Sequence, residues 1–284
     1  MIEGWLAFWE TLASPHGGWL RAAVLMGVLA AMASGLAGTF VVVQRISALA
    51  GALAHAVLAG LAGALYAQSV LGWTWLDPLL GAALVGVGAA GALSLLQRHG
   101  QERADAAISA LWAVGMAVGL LFLAATPGAV EPMAYLFGDP LLVRSLDLWV
   151  AGGLVVLLGF TLVTTYRAWQ AVAFDPDFAQ LRGLRPAVWQ TAFLIGVALC
   201  IVLLVSVVGI VLVVALLALP AATASHWART LAAVMAWAVG VCVIGVLAGL
   251  QLSFATNAPA GPIVILASAT LYGGSLIARR VGRN

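Results

Sequence analysis

From Ala22 to Val43 the chain carries no charged residue, and other long uncharged apolar runs follow it to the end. Such runs constrain folding more than any motif, because ~20 apolar residues in a helix match the ~30 Å hydrocarbon core of a bilayer. They predict spans near 19–43, 46–67, 78–97, 105–126, 146–166, 187–206, 209–225, 230–250 and 262–278, with the sixth and seventh readable as one broken unit. Ala, Leu, Val and Gly fill them without the apolar–polar alternation of a membrane β-barrel, so helices are expected. Only 8% of the 284 residues are charged and mean hydropathy is +1.12. A soluble domain carries about a quarter charged residues, so this chain lacks the polar surface to stay in water. The expected fold is an all-α integral membrane bundle of eight or nine transmembrane helices, forming a single domain over 1–284.

The charges between the runs set an orientation. All twelve basic residues are arginine. Arg45, Arg98, Arg103, Arg167, Arg182, Arg185, Arg229, Arg279, Arg280 and Arg283 fall on one side of the predicted layout, and only Arg21 and Arg144 on the other. Cytoplasmic loops are the arginine-rich ones, which puts the N-terminus outside and the C-terminus in the cytoplasm. The first residues, with Glu3 and Glu10 as their only charges, lack the basic start of a signal peptide. Residues 1–18 read as an outer interfacial segment in which Trp5 and Trp9 lie at the membrane surface.

Small residues suggest which helix faces meet. Gly27, Ala31, Gly35 and Thr39 recur every four residues, and Gly115/Gly119 and Gly245/Gly249 are GxxxG pairs. In lipid this spacing lets helix backbones approach closely. Pro220 is expected to kink or break its span.

Few side chains are candidates for chemistry. A net charge of +2 with scattered arginines does not suit nucleic acid. Without lysine there is no Walker A motif, and no zinc-protease or paired-cysteine pattern is present. Cys200 and Cys242 lie inside apolar runs and read as small buried hydrophobes. His55 is the one ionisable group near the middle of a predicted span, and intramembrane ionisable groups mark transport pathways by default. A neutral histidine hydrogen-bonded to a neighbouring helix is the plainer alternative. The polar segment Phe174–Leu184 has Asp175 as a helix N-cap, Pro176 in the first turn and Gly183 as a stop. Phe174, Phe178 and Leu181 fall on one side of it, as in a docking element.

These residues also carry a resemblance. The stretch Arg45 to Gly60 resembles the second-span signature of the membrane permeases of zinc- and manganese-importing ABC transporters. Tyr135 to Pro140 with Asp147 to Trp149, Phe174 to Leu184, and Val208 to Ala224 look like further blocks of the same family, in order from about Leu20 to Arg279. The resemblance implies a second copy of the chain in the membrane, two ATPase subunits inside and an extracytoplasmic metal-binding protein outside. It implies that ATP is held by the partner, that this chain binds no cofactor of its own, and that the cargo is a divalent metal. Residues 174–184 would be the cytoplasmic coupling helix, with Phe174, Asp175, Pro176, Phe178, Ala179, Gly183 and Leu184 meeting the ATPase. His55 would lie on the metal pathway. The family places an aspartate four residues before this histidine, and here that residue is Gly51. Imidazole without carboxylate favours Zn²⁺ over Mn²⁺ or iron.

The function expected is therefore the permease of an ATP-driven divalent-metal importer in a bacterial inner membrane. A secondary metal transporter or channel would carry more intramembrane Asp and Glu for ion coupling. An intramembrane hydrolase, ranked last, would need a serine set across from His55, and no flanking motif marks one.

Overall fold

The computed structural model describes residues 2–97, 101–128, 143 and 145–281. Eleven α-helices and no strands occur among them: α1 Ile2–Ala13, α2 Gly18–Val43, α3 Ser47–Val70, α4 Pro78–Gln97, α5 Gln101–Ala125, α6 Ser145–Phe174, α7 Pro176–Leu181, α8 Pro186–Val208, α9 Ile210–Ser225, α10 Leu231–Thr256 and α11 Ala260–Val281. Eight of these are long and apolar enough to cross a membrane. The remaining predicted span, 209–225, is α9, whose 16 residues make a rod of about 24 Å, short of the ~30 Å core.

Helix directions follow from where the small residues meet their neighbours. A Cβ on Gly35 would lie 2.7 Å from the Val239 backbone, and one on Gly27 would lie 2.8 Å from a Val246 methyl. Rising numbers on α2 thus meet falling numbers on α10, so the two are antiparallel. Gly60 faces Gly81 and Gly86 faces Val57, which makes α3 and α4 antiparallel. Gly245 meets Ser268 and Gly249 meets Val264, so α10 and α11 are antiparallel as well. By contrast, Gly115 abuts the backbone of His55 and Ala56 while Gly119 abuts Leu58 and Ala59, so α5 runs parallel to α3. The glycine pairs expected to pack do so, and at Gly35, Gly115 and Gly249 an added Cβ would fall under 3.0 Å from the backbone of the neighbouring helix.

These relations bring the carboxyl ends of α2, α4, α6, α9 and α11 to one end of the bundle, with α7 and the amino ends of α3, α5, α8 and α10. Among the described side chains, that end carries Arg45, Arg167, Arg182, Arg185, Arg229, Arg279 and Arg280. Arg21 lies at the other end, its guanidinium donating to the Ser14 carbonyl. Arg98, Arg144 and Arg283 lie outside the described residues, as does the block Tyr135 to Pro140.

The core is built of α2, α3, α4, α8 and α9. Phe40, Leu53, Leu58, Ile201, Leu204 and Leu217 are all essentially inaccessible there. At the basic end, Trp169 of α6 packs against Phe40 and Phe193 with ring centroids 6.1 and 5.7 Å apart, and edge-on against Trp189 at 5.1 Å. This cluster keeps α6 helical past residue 166, where the predicted span ended. With 30 residues α6 is about 45 Å long and projects beyond a ~30 Å core.

A second difference concerns Pro220. It sits inside a continuous α9 and does not break it. Proline removes only its own bond to the carbonyl four residues back, and one such loss is tolerated where neighbouring helices pack on the segment. The break lies at Gly209, whose φ of +82° is a conformation that glycine accepts readily. There the chain reverses. Ser94 and Thr191 share a hydrogen bond across antiparallel α4 and α8, whereas Gly38 abuts Leu217, so α9 runs alongside the second half of α2.

At the opposite end, α1 packs on α10. Gly4 abuts Ala255, and Phe8 meets Phe254 edge-on at 5.6 Å, leaving Trp5 and Trp9 exposed.

Candidate functional site

His55 is the ninth residue of α3, near mid-helix, and is buried. Its Nδ1 is enclosed and has no hydrogen-bond partner among the described residues. A histidine serving the fold normally has that nitrogen bonded, since an unpaired buried polar atom costs about 1–3 kcal/mol. Gly51 lies one turn earlier on the same face.

Over both residues lies Trp112 of α5, a side chain the sequence does not single out. Its indole stacks on the imidazole with ring centroids 5.0 Å apart and planes 30° from parallel. A Cβ on Gly51 would lie 2.6 Å from the Trp112 Cζ3. No group of three or more His, Cys, Asp or Glu side chains gathers to hold a metal among the described residues. Among the described residues, the donor at this place is the His55 imidazole, and the position one turn before it is glycine.

The second feature is α7 at the basic end. Asp175 is its N-cap, with Oδ1 accepting from the Phe178 amide at 2.9 Å, and Pro176 opens the first turn. Gly183, at φ +80°, ends it, and the Leu184 amide returns to the Ala179 carbonyl at 3.0 Å. Ala179 is wholly buried against the body of the bundle. Phe174, Phe178 and Leu181 point outward, Leu181 being 88% exposed, and the Arg182 guanidinium lies 5.0 Å over the Phe178 ring. A capped helix of six residues thus presents apolar side chains beyond the end of the helical bundle.

His226 is a third polar feature. It caps α9, places Nδ1 2.9 Å from the Ser275 Oγ and stacks on Tyr272 at 5.6 Å. Burial and then the nearby Arg279 charge push its pKa below the usual 6.5. It ties α9 to α11 far from His55 in the chain.

A bundle of membrane-length helices enclosing an unpaired imidazole, with a short capped helix at its basic end, has the build of a membrane transport protein. Residues 18–279 match the ABC 3 transport family. An uncharacterized membrane protein of Synechocystis is 33% identical over 262 residues, covering 92% of this chain and 91% of its own. A probable metal transport system membrane protein of Chlamydia muridarum is 30% identical, over 88% of this chain and 86% of its own. The manganese transport system membrane protein MntC of Listeria innocua is 27% identical, over 90% and 89%. In fold, the chain is similar to PsaBC from Streptococcus pneumoniae, solved with a Fab, with a TM-score of 0.84 and 24% identity over 97% of this chain and 95% of that one. The chain belongs to the ABC 3 transport family, as a membrane permease subunit.

Proposed function

We propose that this chain is a single transmembrane permease domain that passes a divalent transition metal inward through a bacterial inner membrane, with zinc as the first cargo. The observation that carries the reading is His55, an imidazole within α3 whose Nδ1 has no partner among the described residues and whose neighbour one turn earlier is Gly51 in place of a carboxylate. Neutral imidazole is a natural ligand for Zn²⁺, whereas Mn²⁺ favours carboxylate oxygens. A single donor also suits a path, where a station must bind weakly enough to release. Manganese is the second reading, supported by the names of relatives such as the Listeria MntC protein.

The remaining parts follow the family. Two copies pair in the membrane, and two ATPases dock at the arginine-rich end, which is cytoplasmic by the positive-inside rule. The exposed Phe174, Phe178 and Leu181 enter a groove of the ATPase, while buried Ala179 transmits its movement to α6 and α8. An extracytoplasmic metal-binding protein delivers the ion to the opposite end.

Uptake of Zn²⁺, Mn²⁺ and Fe²⁺ into vesicles containing the whole complex tests this. His55→Ala is expected to lower Zn²⁺ uptake at least tenfold (about 1.4 kcal/mol) per assembled complex. Undiminished uptake by this variant would sink the assignment of His55, and faster Mn²⁺ than Zn²⁺ uptake by the native complex would replace zinc with manganese.

A further inference from the structure

The space beside His55 has been taken over by an aromatic ring. The Trp112 indole reaches the Gly51 position, where a Cβ would lie 2.6 Å from its Cζ3 and 2.8 Å from its Cη2. The same ring stacks on the imidazole at 5.0 Å. Helix α5 comes this close because residue 115 is glycine: a Cβ there would lie 2.9 Å from the His55 and Ala56 backbone. The residues at 51, 55, 112 and 115 therefore form one arrangement: two glycines admit a neighbouring helix and its indole, and the indole covers the one intramembrane histidine.

We propose that Trp112 is a shutter over His55, a positioning residue that controls when an ion reaches the imidazole and which side chains can share the station. This rests on the reading of His55 as a station on the ion path. Three observations separate a shutter from ordinary core filling. Trp112 is 38% exposed, against 8% for His55, so part of the indole lies at the surface of the chain while the imidazole beneath it is enclosed. The indole offers its neighbour a π-face and leaves Nδ1 unpaired, so the imidazole is held with a free nitrogen. That same π-face attracts cations, so the shutter does not repel the ion it delays.

A consequence for selectivity follows. With the indole in place, position 51 admits glycine alone, and the station has imidazole without an oxygen ligand. Selectivity for a nitrogen-seeking ion is then set jointly by Gly51 and Trp112, on two different helices.

The test uses the full complex and diethyl pyrocarbonate, a small reagent that modifies accessible imidazole nitrogen, read for each histidine by peptide mass spectrometry. His16, which is exposed, serves as the internal standard. Trp112→Ala is expected to raise the rate at His55 about tenfold while His16 is unchanged, because access no longer waits on a local opening. Trp112→Phe, which keeps a smaller ring, should fall between, and it carries the test if the alanine variant does not assemble. In parallel, Gly51→Asp should lower the yield of assembled complex, and adding Trp112→Ala should restore it. An unchanged His55 rate in the Trp112 variants, or equal yields for Gly51→Asp with and without Trp112→Ala, overturns the shutter. Lost uptake in His55→Ala with a flat modification rate removes the shutter alone. Normal uptake in that variant removes the station, and the shutter's function goes with it.

Discussion

Replacing Asp175 by alanine removes the oxygen that accepts from the Phe178 amide at 2.9 Å, and with it the cap of α7. Loss of an N-cap costs about 1 kcal/mol, with a range of roughly 0.5–2. A helix of six residues has little else to hold it, since an isolated segment of this length does not form. One or two kcal/mol changes a folded-to-open ratio by a factor of about 5–30, so α7 should open about fivefold more often in Asp175→Ala. Gly183→Ala attacks the other end. At φ +80° a Cβ costs about 1–2 kcal/mol, which again is a factor of about 5–30. Amide hydrogen exchange at Phe178 and Leu184, the two residues whose amides close the cap and the final turn, reads both effects directly. Asp175→Asn keeps a capping oxygen of nearly equal quality and should exchange like the native protein. If Asp175→Asn opens α7 as much as Asp175→Ala, the charge matters and the cap argument is wrong. If neither Asp175→Ala nor Gly183→Ala changes exchange, α7 is held by its packing on the bundle through Ala179. For the coupling role, ATP hydrolysis per ion transported should rise in the variants that open α7. An unchanged ratio would leave α7 as a connector.

Orientation is tested by single cysteines: at Arg182 the thiol should react only with membrane-permeant reagents in intact cells, and at Ser69 with impermeant ones as well, whereas the reverse pattern would overturn the cytoplasmic placement of the arginine-rich end. His226 should give the bundle a pH dependence. Its pKa is lowered in the folded protein, so its contribution is complete above 6.5, the unfolded value, and is lost as pH falls through the lower folded value. The melting temperature in detergent should therefore fall on acidification below 6.5, and His226→Gln should flatten that slope; an identical slope in the variant would assign it to other groups.

What could be read from the sequence depended on how local each cause is. Span positions are local, because twenty uncharged apolar residues have nowhere else to go. The caps of α7 are local too, since Asp175, Pro176 and Gly183 act on amides within a few residues. The end of α6 is not. Thr164, Thr165 and Arg167 look like the edge of an apolar run, yet the helix continues, with Thr164 Oγ donating back to the Phe160 carbonyl at 2.8 Å and Trp169 buried against α2 and α8. Pro220 misleads for a related reason: its cost is one hydrogen bond, whereas Gly209 supplies the positive φ at which the chain turns back. The least legible element is Trp112. Nothing within its own helix distinguishes it from the other tryptophans, because its role depends on α5 lying parallel to α3 at glycine distance. Gly51 alone looks like the loss of a ligand. Beside Trp112 it is half of a pair, because a side chain at position 51 and the stacked indole compete for the same space. A relative with a carboxylate at the position of Gly51 should therefore carry something smaller than tryptophan at that of Trp112, hold α5 farther from α3, or keep the indole turned away from the histidine. That correlation between two helices is what a physical coupling requires, and an aspartate beside a tryptophan still stacked on the histidine at unchanged helix spacing would refute it.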